Sequence, residues 1–287
     1  MRALMQLPAP HVADRALCHF LRDTRGHRAS TTLRVPASFY GTLTVTHRGA
    51  ILDGRSGRAL PRVALGGPRT VPGELHFEPG TVATTVVMKP GGANRLAVPG
   101  LPLSADEATD GGRLVRLEPL LSTLDDAASS NPHADAVARI EALLAEPHAP
   151  EQARFDDTLR PLLWRLPTMP VSELGREFGC TPRNLQRLFM RELGVAPKLF
   201  CRLARLHGIF WHVHGLGRDA RPHWAELAGA CGFSDQAHLH RELRALTGLT
   251  PLGFLRALRQ GPGAVWALRV PAETLGWCHR PALRRAA

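Results

Sequence analysis

Apolar residues recur at helical spacing in two successive stretches between Val171 and Arg256, and the two stretches repeat one another weakly. The first reads VSELGREFGCTPRNLQRLFMRELGVAPKLFCR and the second WAELAGACGFSDQAHLHRELRALTGLTPLGFLR. Leu174 and Gly179 map onto Leu227 and Gly232 at an offset of 53. Leu185, Arg187, Phe189, Gly194, Pro197, Phe200 and Arg202 map onto Leu239, Arg241, Leu243, Gly248, Pro251, Phe254 and Arg256 at an offset of 54, with one inserted residue in the turn. Each copy predicts a helix, a glycine turn and a second helix.

In the first copy Leu174 and Phe178 give the supporting helix, and Gly179-Cys180 breaks it. Thr181 is suited to cap the next helix and Pro182 to open it, since a first-turn N–H has no intrahelical partner. Leu185, Leu188 and Phe189 form its buried stripe, leaving Arg183, Gln186 and Arg187 on another face. In the second copy Ser234 is the expected cap, with Asp235 in the first turn beside the helix dipole. Leu239 and Leu243 point inward, while Gln236, Ala237, His240 and Arg241 are expected to face outward. Gly194 and Gly248 are placed to end these helices, and Pro197 and Pro251 to begin the following ones.

Residues 30–100 carry a different pattern. TTLRV, YGTLTVTHRGAIL, RVALGG, GELHF and TVATTVVMKPG are short β-branched runs separated by Gly and Pro, which predicts strands. Thr42, Thr44 and Thr46 alternating with Leu43, Val45 and His47 suggest a half-buried one. LVRLEPLLSTLDDA and DAVARIEALLAEP then read as helices, with AASSNPHAD and HAPEQA as loops. The helices at 114–147 have two readings, a dimer seam or a cover for the sheet.

Composition sharpens this division. Residues 1–150 hold 16 Lys+Arg and 14 Asp+Glu, a net of +2, so residues 151–287 hold the remaining 20 and 11 of the chain's 36 and 25, a net of +9. A basic half beside a nearly neutral one fits nucleic-acid binding by the former. The basic residues are almost all Arg, which forks onto guanine or phosphate. A GC-rich genome also enriches Arg, but it does not explain the asymmetry between halves. No apolar run is long enough for a membrane helix, and MRALMQLPAPHVADRAL has no apolar core before a small-residue cleavage site. A cytoplasmic location and no membrane contact are the expectation.

Candidate chemistry is sparse. The 5 cysteines (Cys18, Cys180, Cys201, Cys231 and Cys278) are scattered without paired spacing. Cys180 and Cys231 precede the two exposed helices at equivalent places, as oxidation-sensitive thiols or as small buried ones. His207, His212 and His214 do not share one helical face, so no metal site is expected. No nucleophile elbow, phosphate loop, zinc-protease motif or dinucleotide fingerprint appears, and an enzyme is not expected.

The segment from Ala228 to Arg256, A-x-x-x-G-F-S-D-Q-A-H-L-x-R-E-L-x-x-x-x-G-L-T-P-x-x-F-L-R, resembles the signature of the AraC/XylS transcription regulators. The resemblance covers roughly residues 156–260. It implies an α+β chain of two domains. A β-rich, half-barrel-like domain with two helices (1–150) precedes an all-α domain (155–260) of two helix-turn-helix subdomains joined by a long helix from about Pro197 to His212. A tail (261–287) has no assigned structure. RVPASFYGTLTV, GPR and TTVVMKPGG fall in the order that one branch of the family shows in its sensor or dimerisation domain. Leu239 and Leu243 stand where the family usually has aromatics, and the linker LGRDARPHW is long and basic for it.

Duplex DNA is the implied partner, read in two successive major grooves about 34 Å apart. The implied readers are Arg183, Gln186 and Arg187 in the first copy, and Gln236, Ala237, His240 and Arg241 in the second. His240 is equally well an uninvolved side chain, and Arg202, Arg205, Arg244 and Arg256 are phosphate contacts or partners of Glu192, Glu226 or Glu242. The resemblance leaves room for RNA polymerase, a small-molecule effector and a second copy of the chain as further partners, and implies no cofactor. The alternative is an adaptor, sensing a ligand or a protein, whose helical domain binds DNA without sequence preference.

Overall fold

The computed structural model describes residues 1–96, 103, 105–110, 131–147, 150–163, 165–216 and 221–259. The expected helix at 114–127, part of the linker after Leu216 and the tail lie outside them.

Among the described residues, nine strands form two antiparallel sheets: β1 (Arg2–Gln6), β2 (Ala16–Asp23), β3 (Thr31–Val35), β4 (Gly41–Arg48), β5 (Ile51–Asp53), β6 (Val63–Gly66), β7 (Gly73–Phe77), β8 (Val82–Met88) and β9 (Ala108–Asp110). The larger sheet runs β1-β2-β8-β4-β6-β9 and the smaller β3-β7-β5. The five expected runs all carry strands, and YGTLTVTHRGAIL is divided into β4 and β5 at Gly49. Two strands before residue 30 add to them. β2 has no clean alternation because both of its faces are covered, and His19 and Arg22 are buried within it.

The larger sheet is covered on both sides. Helix α1 (Pro132–Ala145), capped by Asn131 accepting from the Ala134 amide, lays Ala136, Ile140 and Leu144 toward it. Ile140 and Leu144 pack with Leu43, Val45, Val86 and Met88 in one cluster. The helix therefore covers the sheet and begins three residues before the expected start at Asp135. β4 alternates in burial over most of its length, as expected. Leu43 and Val45 lie under the helix, and the opposite face, with Thr42 and Thr44, turns into a cavity between the sheets. Thr44 and Thr85 share a hydrogen bond of 3.1 Å there.

Seven further α-helices follow among the described residues: α2 (Pro150–Leu159), α3 (Val171–Glu177), α4 (Pro182–Leu193), α5 (Pro197–Gly215), α6 (Trp224–Ala230), α7 (Gln236–Thr247) and α8 (Pro251–Arg259). Most of the expected HAPEQA loop is the first turn of α2, because Pro150 opens a helix as readily as it ends one. One hydrophobic cluster runs through this half and into the sheets, joining Phe20, Phe39, Tyr40 and Val87 to Phe155, Phe189 and Phe200. Phe39 lies 5.2 Å from Phe200 and 4.3 Å from His207, ring centre to ring centre.

Candidate nucleic-acid interface

The first helix-turn-helix is built on an aromatic chain. Phe155 meets Phe178 at 5.4 Å and Phe189 at 5.7 Å, and Phe189 meets Phe200 at 5.5 Å. This fixes α4 against α2, α3 and α5. Thr181 accepts from the Asn184 amide at 3.3 Å, and Pro182 occupies the first turn, as expected. Gly194 closes α4 in the left-handed region (φ 69), where a side chain would strain the backbone. Arg165 anchors α3 by bridging Glu173 at 2.5 Å and Glu177 at 2.9 Å.

Arg183, Gln186 and Arg187 are all exposed on α4, as their spacing implies. Met190 continues that face. It is an exposed large apolar side chain one turn beyond Arg187, overlooked in the sequence because methionine normally reads as core.

The second unit departs from expectation in two places. Asp235, not Ser234, caps α7: its Oδ1 accepts from the His238 amide at 2.7 Å. Ser234 instead donates its hydroxyl to Asp235 at 3.0 Å. These donors hold the Asp235 carboxyl below its usual range. Gln236, Ala237 and Arg241 are exposed on α7, but His240 is only half-exposed. Its ring meets the Trp224 ring edge-on at 5.4 Å, and its Nε2 is buried with no hydrogen bond among the described residues. His240 thus packs against α6 rather than projecting freely. Gly248 (φ 73) closes α7 as Gly194 closes α4.

Helix α5 spans the two units, with Phe200, Leu203, Leu206 and Phe210 buried along it. Arg202 on α5 is ion-paired to Glu242 on α7, so it belongs to the scaffold. Arg244 and Arg256 stay exposed, and Arg205 is half-buried. Burial pushes the Cys201 thiol up to about 11 and that of Cys231 up to about 12, and raises Cys180 as well. His207 packs among Phe39, Tyr40 and Phe210, while the His212 ring is hydrogen-bonded to the Gly208 carbonyl at 2.9 Å. No group of metal-ligating side chains occurs among the described residues, and no described helix is long and apolar enough to cross a membrane.

The β-rich half touches both units directly. The Ala37 amide donates to the Leu246 carbonyl at 2.7 Å, at the end of α7. Asn94 donates its side-chain amide to the Arg191 carbonyl at 2.9 Å, at the end of α4.

Among solved structures, the chain is similar to ToxT from Vibrio cholerae with unsaturated fatty acid bound, at 11% identity over 89% of this chain and 95% of that one (TM-score 0.43). A second ToxT structure from Vibrio cholerae gives 8% identity over 89% and 98% (TM-score 0.42). The AraC-like transcriptional activator CuxR gives 12% identity over 71% and 85% (TM-score 0.28). No curated protein matches the chain. The family described as "Helix-turn-helix domain" matches residues 174–257, which begin at Leu174 on α3 and end at Ala257 on α8. Those residues form an AraC-type helix-turn-helix domain.

Proposed function

We propose that this chain is a sequence-specific transcription regulator whose helices α4 and α7 read two successive major grooves of duplex DNA. The observation that carries this is the equivalence of the two exposed faces. Arg187 and Arg241 sit at matching positions of two helices with matching glycine caps, each projecting from a fixed scaffold. An exposed Arg there can bond guanine O6 and N7 as a fork, and Gln186 and Gln236 can pair with adenine. Arg183 and Ala237 complete the two faces, and His240 acts through its packing on Trp224. The other exposed arginines supply salt-dependent affinity for phosphate.

The β-rich residues 1–150 serve as a sensor of a small-molecule effector, and residues 155–260 as the DNA-binding part. Selection of the purified chain on random duplex DNA near physiological salt tests the reading. A bipartite site with halves about one helical turn apart is expected. Enrichment of nothing beyond general duplex would contradict it and favour a basic adaptor.

A further inference from the structure

The space between the two sheets is a cavity of about 540 Å³, within the size range of small-molecule sites. Leu33, Ile51, Leu75 and Phe77 line it from the smaller sheet, Thr85 and Val87 from the larger one. One wall is chemically out of place. Arg22, on β2, lines this space and is only 5% exposed. Its guanidinium lies 4.6 Å from the centre of the Phe20 ring, and no carboxylate pairs with it among the described residues. Burial lowers it to about 10, so it remains a cation at neutral pH.

A buried cation without an anion is costly, and a single phenyl ring offsets only a fraction of that cost. Three carboxylates line the cavity and none pairs with Arg22: Glu107 is exposed, and the other two are committed elsewhere. Asp53 holds its own turn, accepting from the Ser56 amide at 2.8 Å and the Ser56 hydroxyl at 2.9 Å. Asp106 accepts from the Thr70 amide at 2.8 Å and from the Thr70 hydroxyl. Arg22 faces small neighbours, Ala3 on β1 and Ala83 on β8, so no bulky side chain stands across from it in the sheet.

We propose that the cavity binds a small organic anion, its charged head paired with Arg22 and its apolar body against Leu33, Ile51 and Phe77. The guanidinium supplies a planar fork for a carboxylate or sulfonate. The aliphatic and aromatic walls exclude water from that pair and strengthen it. A neutral ligand of the same shape leaves the cation uncompensated, which is the basis of selectivity. This inference rests on the proposal that the β-rich half senses an effector.

The test uses the full chain and no DNA, so its failure is read separately from a failure of DNA recognition. The probes are 1-anilinonaphthalene-8-sulfonate and N-phenyl-1-naphthylamine, which share one apolar body and differ in the anionic group. The parent should bind the sulfonate about 10- to 100-fold more tightly than the neutral amine. Arg22→Met should remove that preference while keeping affinity for the amine, and Arg22→Lys should keep much of it. Equal affinity of the parent for both probes, or an unchanged preference in Arg22→Met, would overturn the proposal. Displacement from the parent gives a readout that needs no variant to fold. 2-Naphthoate should displace the sulfonate and 2-naphthamide should not; equal displacement by both would overturn the proposal too.

Discussion

Asn94, in the turn after the last long strand of the larger sheet, donates its side-chain amide to the backbone carbonyl of Arg191, 2.9 Å away at the end of α4. The last carbonyls of a helix have no partner within it, so a residue of the β-rich half completes the first reader helix. Asn94→Ala should lower stability by about 0.5–1.5 kcal/mol. It should also speed amide exchange near Gly194 while leaving α7 unchanged. Unchanged exchange near Gly194 would show that the contact does not hold the helix end.

Arg95 follows Asn94 and is ion-paired to Asp156 on α2, both side chains being buried. Breaking such a pair strands a charge. Asp156→Ala should therefore cost about 3–5 kcal/mol by urea denaturation, whereas Arg95→Met with Asp156→Leu should cost distinctly less. A double variant as unstable as the single one would contradict this.

Stability should also depend on pH through a histidine cluster under α1. His47 and His133 both hydrogen-bond the Thr84 hydroxyl, at 2.8 and 2.9 Å, and His19 bonds Glu141 at 2.8 Å. Burial, then the nearby charges of His133 and Arg62, lowers His47 from 6.5 to about 4; His19 and His133 are lowered by burial too. The folded chain thus binds fewer protons than the unfolded chain between these values. The His47 contribution is fully present above pH 6.5 and is lost as pH falls toward 4, up to about 3 kcal/mol. Urea midpoints should fall from pH 7.5 to pH 5, and less steeply in His47→Gln. Parallel pH profiles for the parent and this variant would contradict the assignment.

The buried thiols of Cys201 and Cys231 are held far from the thiolate form, at about 11 and 12. Both should resist an aromatic disulfide reagent in the native chain and react on unfolding. Rapid native labelling of Cys231 would reopen a redox role for the position before α7.

Local chemistry was legible in the sequence, and long-range packing was not. Thr181, Pro182, Gly194 and Gly248 occupy the caps assigned to them because each acts within its own turn. Asp235 rather than Ser234 takes the cap, because its carboxylate reaches the His238 amide while the Ser234 hydroxyl turns to that carboxylate and to the His238 ring. β2 escaped notice because burial on both faces removes alternation, and its buried His19 and Arg22 look like surface residues in a string. Helical spacing alone places His240 outward, whereas its environment is set by Trp224 on another helix. The cavity draws its walls from both sheets, and no single segment carries its signature.

The most direct test of two-groove reading is the affinity of Arg187→Ala and Arg241→Ala for a site selected by the parent. Each should lose about 1–3 kcal/mol, and each should relax preference in a different half of the site. If both variants bind that site as tightly as the parent, α4 and α7 are not the reading helices.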